Sequence, residues 1–343
     1  MIGQKLVFTQ PYKAEWVEVE VPEPGAGEVL IRTRKALIST GTELTAYTGD
    51  FPSGSVWARY IQYPFDGVGY SNVGEIVALG PGVTGYEIGQ RVASWGRHAT
   101  LQVMPLEGLF KGVQVMPSDI TDDQAVFWNL GKTVMNGVRL ARIALGEAVV
   151  LVGVGILGQL AAQYASLSGA FPLIAVDLSE QRLRMAQAHC HGATHGLIGD
   201  REGLLDEIRE ITRGRMADVA FEITGNQHVI PLALRMVRRL GRVILLGSPR
   251  GKVEVDFHDQ VHTLGLQVIG AHVTTHPECE TPFNPWTADH HGELFFDLVA
   301  AGRLQVDRMI THRYEWRDAP EAYRMLAADR TQAMGVLLEG WPE

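Results

Sequence analysis

Cysteine is scarce in this chain: Cys190 and Cys279 are the only two in 343 residues. Two thiols cannot build a disulfide framework, and they exclude any zinc site that needs three or four thiolates. So few also fit a reducing compartment. Long apolar runs are missing. The longest, such as Ala148–Val152, fall far short of the about 20 residues that a membrane helix needs, so no membrane partner is expected. The opening residues MIGQKLVFTQPYK lack a basic patch followed by an apolar core. They predict no signal peptide, and the expected location is the cytoplasm. No basic run of the phosphate-binding kind appears, and the formal net charge is -9, so no nucleic-acid partner is expected. What is present is an ordinary globular balance, 46% hydrophobic and 20% charged, in a chain long enough for two domains.

Residues 1–125 read as mostly β. Short β-branched or alternating runs cover Lys5–Phe8, Trp16–Glu20, Glu28–Arg34, Gly74–Leu79, Arg91–Ser94 and Thr100–Met104. Gly and Pro punctuate them, which suggests a barrel or sandwich. The character changes near Asp119. Helical spacing over Asp122–Ala144 leads into the apolar strand Ala148–Val152 and the helix Gly158–Ser168. Strands at Pro172–Val176, Asp218–Glu222, Arg242–Gly247 and Leu266–Ala271 then alternate with helices at Ser179–His189 and Ile230–Val237. Buried apolar strands alternating with helices predict a parallel sheet, and so an α/β fold. The tail returns to mixed structure: helix Gly292–Ala301, strand Met309–Tyr314, helix Ala319–Ala328 and strand Gly335–Glu339.

Gly153, Gly155 and Gly158 form G-x-G-x-x-G, with Ile156 and Leu157 inside it, between the buried strand and the apolar helix. In that context the first glycine permits a tight turn, the second lets backbone approach a pyrophosphate, and the third lets helix and strand pack closely. Free N–H groups at the helix start then meet the negative charge. The next strand ends at Asp177. A carboxylate there accepts hydrogen bonds from the adenosine ribose and repels a 2′-phosphate, so NAD is favoured over NADP. Arg182, about one turn on, either flanks the ribose or simply solvates its helix.

Taken in order, these stretches resemble the medium-chain dehydrogenase/reductase superfamily, which includes zinc alcohol, polyol and threonine dehydrogenases. The landmarks are PEPGAGEVLIRTRKALISTGTEL, VGEIVALGPGVTGYEIGQRVA, the glycine turn, FEITG at 221–225, LGRVILLG at 240–247 and ITHRYEWRDAPEAY at 310–323. The string I-S-T-G-T-E is also similar to that of bacteriochlorophyllide dehydrogenases. The resemblance implies a GroES-like β-rich catalytic domain over 1–125 and 285–343, and a Rossmann doubly wound domain over 126–284. It also implies a cleft that holds nicotinamide and substrate, and a homodimer or homotetramer built on the edge strand near Leu266–Ala271. By the same resemblance, Thr133 packs against the nicotinamide ring, Ile223 and Thr224 border the adenosine, and Gly247 and Ala271 present backbone groups to the carboxamide.

The metal half of that pattern is different here. Thr40 stands where the zinc members place a Cys ligand, Tyr70 and Ser71 stand where they place His-Glu, and Asn129 aligns with the third position. Hydroxyl, phenol and amide do not make a zinc site at neutral pH, so no metal is expected. The four-Cys structural lobe is missing too. Alcohol oxidation must then lose its hydroxyl proton to side chains. The candidates are Thr42, Glu43, Tyr70, Asn129 and Lys132. Tyr70 is read as acid/base, as a hydrogen-bonding group or as a packing aromatic that fills the vacated space. Asn129 offers an amide donor, Lys132 a positive charge, Thr42 a relay hydroxyl, and Glu43 a carboxylate that orients Lys132 or a substrate hydroxyl.

Substrate contacts are expected from Thr40, from Trp57 in the loop 47–63, and from His272 and Trp286 in the His-rich stretch 271–291, where donors beside an aromatic suit a polyhydroxylated ring. The reading that follows is NAD-dependent oxidation of a secondary alcohol on a sugar, cyclitol or other polyol. The alternatives are zinc-free NAD(P)H reduction of a quinone or enone, and a cofactor-binding protein without turnover.

Overall fold

The computed structural model describes residues 1–107 and 112–342. In chain order the strands are β1 Ile2–Gln10, β2 Lys13–Glu20, β3 Glu28–Ile38, β4 Asn72–Leu79, β5 Arg91–Ser94, β6 Leu101–Pro105, β7 Val113–Val115, β8 Val149–Val152, β9 Leu173–Asp177, β10 His195–Ile198, β11 Ala217–Glu222, β12 Val237–Leu245, β13 Gln267–Gly270, β14 Ile310–Glu315 and β15 Gly335–Glu339. The helices are α1 Thr42–Thr48, α2 Val56–Tyr60, α3 Asp122–Ala125, α4 Trp128–Ala141, α5 Ile156–Leu167, α6 Glu180–Ala188, α7 Leu204–Ile211, α8 Ile230–Arg235, α9 Ala288–Ala300 and α10 Ala319–Ala328.

Two units divide the chain. The first comprises Met1–Lys132, His276–Gly302 and Val306–Glu343; the second comprises Thr133–Thr275 with Arg303–Gln305. The expected boundaries at 125/126 and 284/285 therefore shift to 132/133 and 275/276. The first shift has a plain cause: α4 is continuous, so the division falls within a helix rather than before it.

The first unit is β-rich. β14, β15, β3, β4, β5 and β7 pair in that order, β6 also pairs with β3, and β1 and β2 form a separate hairpin. Aromatic side chains fill its largest core: Phe8, Tyr47, Phe65, Trp316, Tyr323 and Trp341 pack with Leu6, Ile38 and Leu338. Each such side chain contributes about 1.5–3 kcal/mol by leaving water. Residues 40–43, read only as motif, close β3 into α1, which starts at Thr42 behind Gly41.

The second unit is a six-stranded parallel sheet in the order β10-β9-β8-β11-β12-β13. All four residues of β8 are buried, as a central strand covered on both faces requires. The strand order reverses at β8 and β11, and in open α/β sheets ligands bind beyond the carboxyl ends of the strands at such a point. Gly153 follows β8 and Ile223–Thr224 follow β11 there. Among the described residues, no helix is long and apolar enough to cross a membrane.

Candidate active site

The glycine turn has the geometry its spacing implies. Gly153 sits at φ +92°, and a Cβ on it would lie 2.8 Å from the Thr224 methyl. A Cβ on Gly158 would lie 2.2 Å from the Gly153 carbonyl oxygen, so only glycine lets α5 rest against the end of β8. A Cβ on Gly155, the N-cap of α5, would meet nothing within 4 Å. That open face lies at a helix N-terminus and at the sheet's switch point, where a pyrophosphate is accommodated without clash. Ile156 and Leu157 form the first turn, Ile156 buried and Leu157 partly exposed.

Asp177 ends β9 and folds back onto this turn. Its Oδ2 accepts from the Val154 N–H at 2.8 Å and its Oδ1 from the Ser179 N–H at 2.9 Å. Among the described residues no cation pairs with it, and Arg182 is partly exposed on α6, with its carbonyl accepting from Gln159 at 3.0 Å. At the end of β11, Ile223 N–H donates to the Val152 carbonyl at 2.9 Å. Thr224 binds the buried Glu222 carboxylate through both its N–H and its hydroxyl. Gly247 N–H donates to the Glu222 carbonyl at 2.8 Å and Ala271 N–H to the Leu245 carbonyl at 3.0 Å, so of the backbone groups expected to face a carboxamide the N–H groups are engaged in the sheet. Thr133 is partly exposed on α4.

In the first unit the centre is Glu43, 3% exposed. Its Oε1 accepts from the Ser39 N–H at 3.1 Å. Its Oε2 meets His98 Nε2 at 3.0 Å and accepts from the Tyr323 hydroxyl. Glu43 therefore has no bond to Lys132, contrary to one expectation: the carboxylate is already surrounded by partners that the fold supplies. Tyr70 donates its phenol hydrogen to Ser39 Oγ. Burial first, then the negative charge of Glu43, pushes the Tyr70 phenol up to about 12, while hydrogen bonds with Ser39 and Thr42 act in the opposite sense. Tyr70 thus keeps its proton at neutral pH and is not a free phenolate base. Its ring lies 6.5 Å from that of Trp95.

Asn129 spends one amide hydrogen on the chain itself. Its Nδ2 donates to the Tyr70 carbonyl at 2.7 Å, which holds the Tyr70 backbone to α4. Lys132, 3% exposed, lies with its Nζ 3.3 Å over the Trp128 indole. Burial pulls its ammonium well below the ordinary lysine range.

The expected substrate residues separate. Thr40 is partly exposed, with its carbonyl 3.4 Å from Arg330. Trp57 is partly buried and packs against the aromatic core. His272 is exposed and bonded to Thr274 at 2.8 Å, whereas His276 and His291 of the same stretch are buried, with their Nδ1 atoms 3.1 Å apart. Trp286 stacks on His291, with centroids 6.2 Å apart and planes at 8°. The irregular stretch ends sooner than expected, because Thr287 caps α9 and places His290 and His291 on a helix.

Two family models match the chain. "Alcohol dehydrogenase GroES-like domain" covers residues 25–119, and "Zinc-binding dehydrogenase" covers residues 157–288. The chain is 30% identical to L-threonine 3-dehydrogenase from Pyrococcus furiosus, over 97% of this chain and 98% of that protein. The chain belongs to the medium-chain dehydrogenase/reductase superfamily. It is also 27% identical to D-guloside 3-dehydrogenase from Escherichia coli, over 93% of this chain and 95% of that one. A solved Escherichia coli oxidoreductase of unknown specificity shares the fold at a TM-score of 0.83 and 19% identity, over 99% of both chains. As a member of this superfamily the protein is an oxidoreductase of the dehydrogenase type.

The residues of this medium-chain dehydrogenase/reductase do not fit a zinc ion at the superfamily's catalytic position. Thr40, Tyr70 and Asn129 supply a hydroxyl, a phenol held protonated and an amide turned to backbone. Among the described residues no group of three or more His, Cys, Asp or Glu stands together to hold a metal. Sequence reasoning missed Ser39, His98 and Tyr323. Ser39 directly precedes the T-G-T-E motif, while His98 and Tyr323 lie 55 and 280 residues from Glu43, with no local signal of the contact.

Proposed function

We propose that this protein is a zinc-independent, NAD-linked alcohol dehydrogenase. It moves a hydride between the cofactor and a secondary alcohol or ketone on a sugar, cyclitol or other polyol. The observation that carries this reading is the glycine turn: a blocked position at Gly158, an open one at Gly155 and a left-handed one at Gly153 together make a phosphate-accepting helix start. Bound there, NAD supplies the hydride acceptor. The unpaired charge of Asp177 beside the turn favours a free ribose over a 2′-phosphate. Two relatives are named for threonine and a guloside, both hydroxyl-bearing compounds.

The alcohol proton leaves through hydroxyls. The Tyr70 oxygen donates to Ser39 Oγ and keeps a lone pair that accepts from a substrate hydroxyl. As the alcohol loses its hydride, Tyr70 takes its proton and passes its own to Ser39, whose hydroxyl releases its former proton to water, so that neither a phenolate nor a charged serine forms. Glu43 is held by Ser39, His98 and Tyr323 and keeps this chain of hydroxyls in place. Substrate-dependent NADH formation over a panel of polyols, sugars and cyclitols tests the reading. Turnover with at least one secondary alcohol is expected. Reduction of quinones or enones with no turnover of any alcohol would overturn it.

A further inference from the structure

Glu222 ends β11 at the switch point of the parallel sheet, and its side chain is wholly buried. One carboxyl oxygen is well supplied: Oε1 accepts from the Thr224 N–H at 2.7 Å and from the Thr224 hydroxyl. The other, Oε2, has no hydrogen-bond partner among the described residues, and no cation there compensates it. Val152 of β8 and Leu245 of β12 are its register partners in the sheet. α8, which packs on β11, has Arg235 as its charged residue, exposed in the last turn. The arginines of β12 lie towards its other end, where Arg238 pairs with Asp218 and Arg242 with Glu147. Asp177 lies two strands away at the end of β9, and His228 closes the turn that Glu222 begins.

What Glu222 holds is one wall of the nucleotide turn. A Cβ on Gly153 would lie 2.8 Å from the Thr224 methyl and 3.1 Å from the Thr224 nitrogen. The carboxyl is therefore one hydrogen bond from an amide on which the first glycine of the turn packs. Thr224 Oγ1 in turn accepts from the Asn226 N–H at 3.0 Å, and Asn226 Oδ1 from the His228 N–H at 3.1 Å, so residues 222–228 hang together on the buried carboxyl. A buried carboxylate with one oxygen unpartnered costs more than the buried neutral acid. Burial accordingly raises the Glu222 carboxyl above the ordinary glutamate range, while the bonds from Thr224 act in the opposite sense. The neutral acid keeps both of those bonds, because its carbonyl oxygen accepts as a carboxylate oxygen does.

We infer that Glu222 is a positioning residue that links dinucleotide binding to the uptake of a proton. As the neutral acid it holds Thr224 against Gly153 and adds no charge to the turn. As the carboxylate it makes the same bonds but sets a buried negative charge beside the place of the pyrophosphate, where little water screens it. Binding therefore favours the protonated form, and by reciprocity a bound pyrophosphate draws a proton onto Glu222. Affinity is greatest at low pH, where the acid is already neutral, and falls as pH rises through its range. The inference rests on the dinucleotide reading above and concerns the second unit alone.

ADP-ribose is the probe, because it carries the adenosine and pyrophosphate without the nicotinamide. Calorimetric titration of the full-length protein in buffers of different ionisation enthalpy reads affinity and proton uptake together. From about pH 5.5 to 8.5 the affinity is expected to fall about fivefold or more, with net proton uptake on binding within that range. Glu222→Gln keeps an acceptor for Thr224 and has no proton to gain, so it should hold the low-pH affinity throughout and take up no proton. His228→Gln controls for the imidazole at the end of the turn and should behave as the wild type does. Uptake that persists in Glu222→Gln, or that disappears in His228→Gln, would overturn the proposal. If Glu222→Gln fails to fold, the wild-type and His228→Gln titrations decide: uptake in both supports the proposal, and its absence in either overturns it. Saturable binding with a flat pH profile and no uptake would overturn this inference and keep the dinucleotide reading. No saturable binding of ADP-ribose or NAD at any pH would overturn both.

Discussion

Glu43 shows how the fold itself supplies the partners of a buried carboxyl group. It collects a backbone N–H from Ser39, an imidazole from His98 and a phenol from Tyr323, and these contacts offset the loss of water. Burial and the negative charge of Glu43 hold Tyr70 protonated. Tyr70→Phe keeps the ring and removes the hydroxyl. It is expected to lower kcat by about 10²–10⁴-fold while nicotinamide affinity stays unchanged. Steady-state rates and cofactor titration check this, and full activity in the variant would remove Tyr70 from the proton path. A second residue-level prediction concerns acid. His276 is lowered to about 4 in the folded chain, against about 6.5 when unfolded. Between those values the unfolded state binds the proton and the folded state does not, so stability is full above about 6.5 and falls as pH drops towards 4. Urea unfolding across that range should show the loss, at up to about 1.4 kcal/mol per pH unit, and His276→Phe should flatten it. Glu43 and Tyr70 were legible in the sequence because they sit in short motifs. His98, Tyr323 and the His276–His291 pair were not, because their meaning depends on contacts that only the folded chain makes.

Among the elements, the β8–turn–α5 unit was the most legible, and for a physical reason. A wholly buried strand, three glycines with separate steric duties and an apolar helix all constrain one another locally. The three glycines are not equivalent, which gives a contrast in one experiment. Gly155→Ala puts a methyl into open space at φ -66°, so melting temperature should hardly change while NAD binding weakens by about tenfold or more. Gly158→Ala drives a methyl into the Gly153 carbonyl, so it should destabilise the fold by roughly 1–3 kcal/mol as well as impair binding. Thermal melts and NAD titration of both variants separate the two effects, and equal melting temperatures would contradict the packing role of Gly158. Less legible were β10 and α7. β10 is a short edge strand, His195–Ile198, with every residue half-buried and no alternation to read. α7 begins behind Gly203, with no side-chain cap to announce it. The His-rich stretch 271–291 read as one loop because nothing apolar marks the first turn of α9, although Thr287 caps it.

For the molecule as a whole, the order of motifs carried most of the information. A β-rich unit, a parallel six-stranded sheet and a return to the first unit followed from alternating patterns along the chain and from the resemblance they support. What the pattern gave less well was where one unit ends, because α4 runs across the division. The central claim is that this medium-chain dehydrogenase/reductase runs alcohol chemistry with hydroxyls where zinc relatives use a metal. Its most direct test is NADH formation from a secondary alcohol substrate, before and after exhaustive chelation, with zinc quantified in the same samples. The account predicts less than about 0.1 zinc per chain and an unchanged kcat after chelation. Stoichiometric zinc, with activity lost on chelation and restored by zinc, would contradict it.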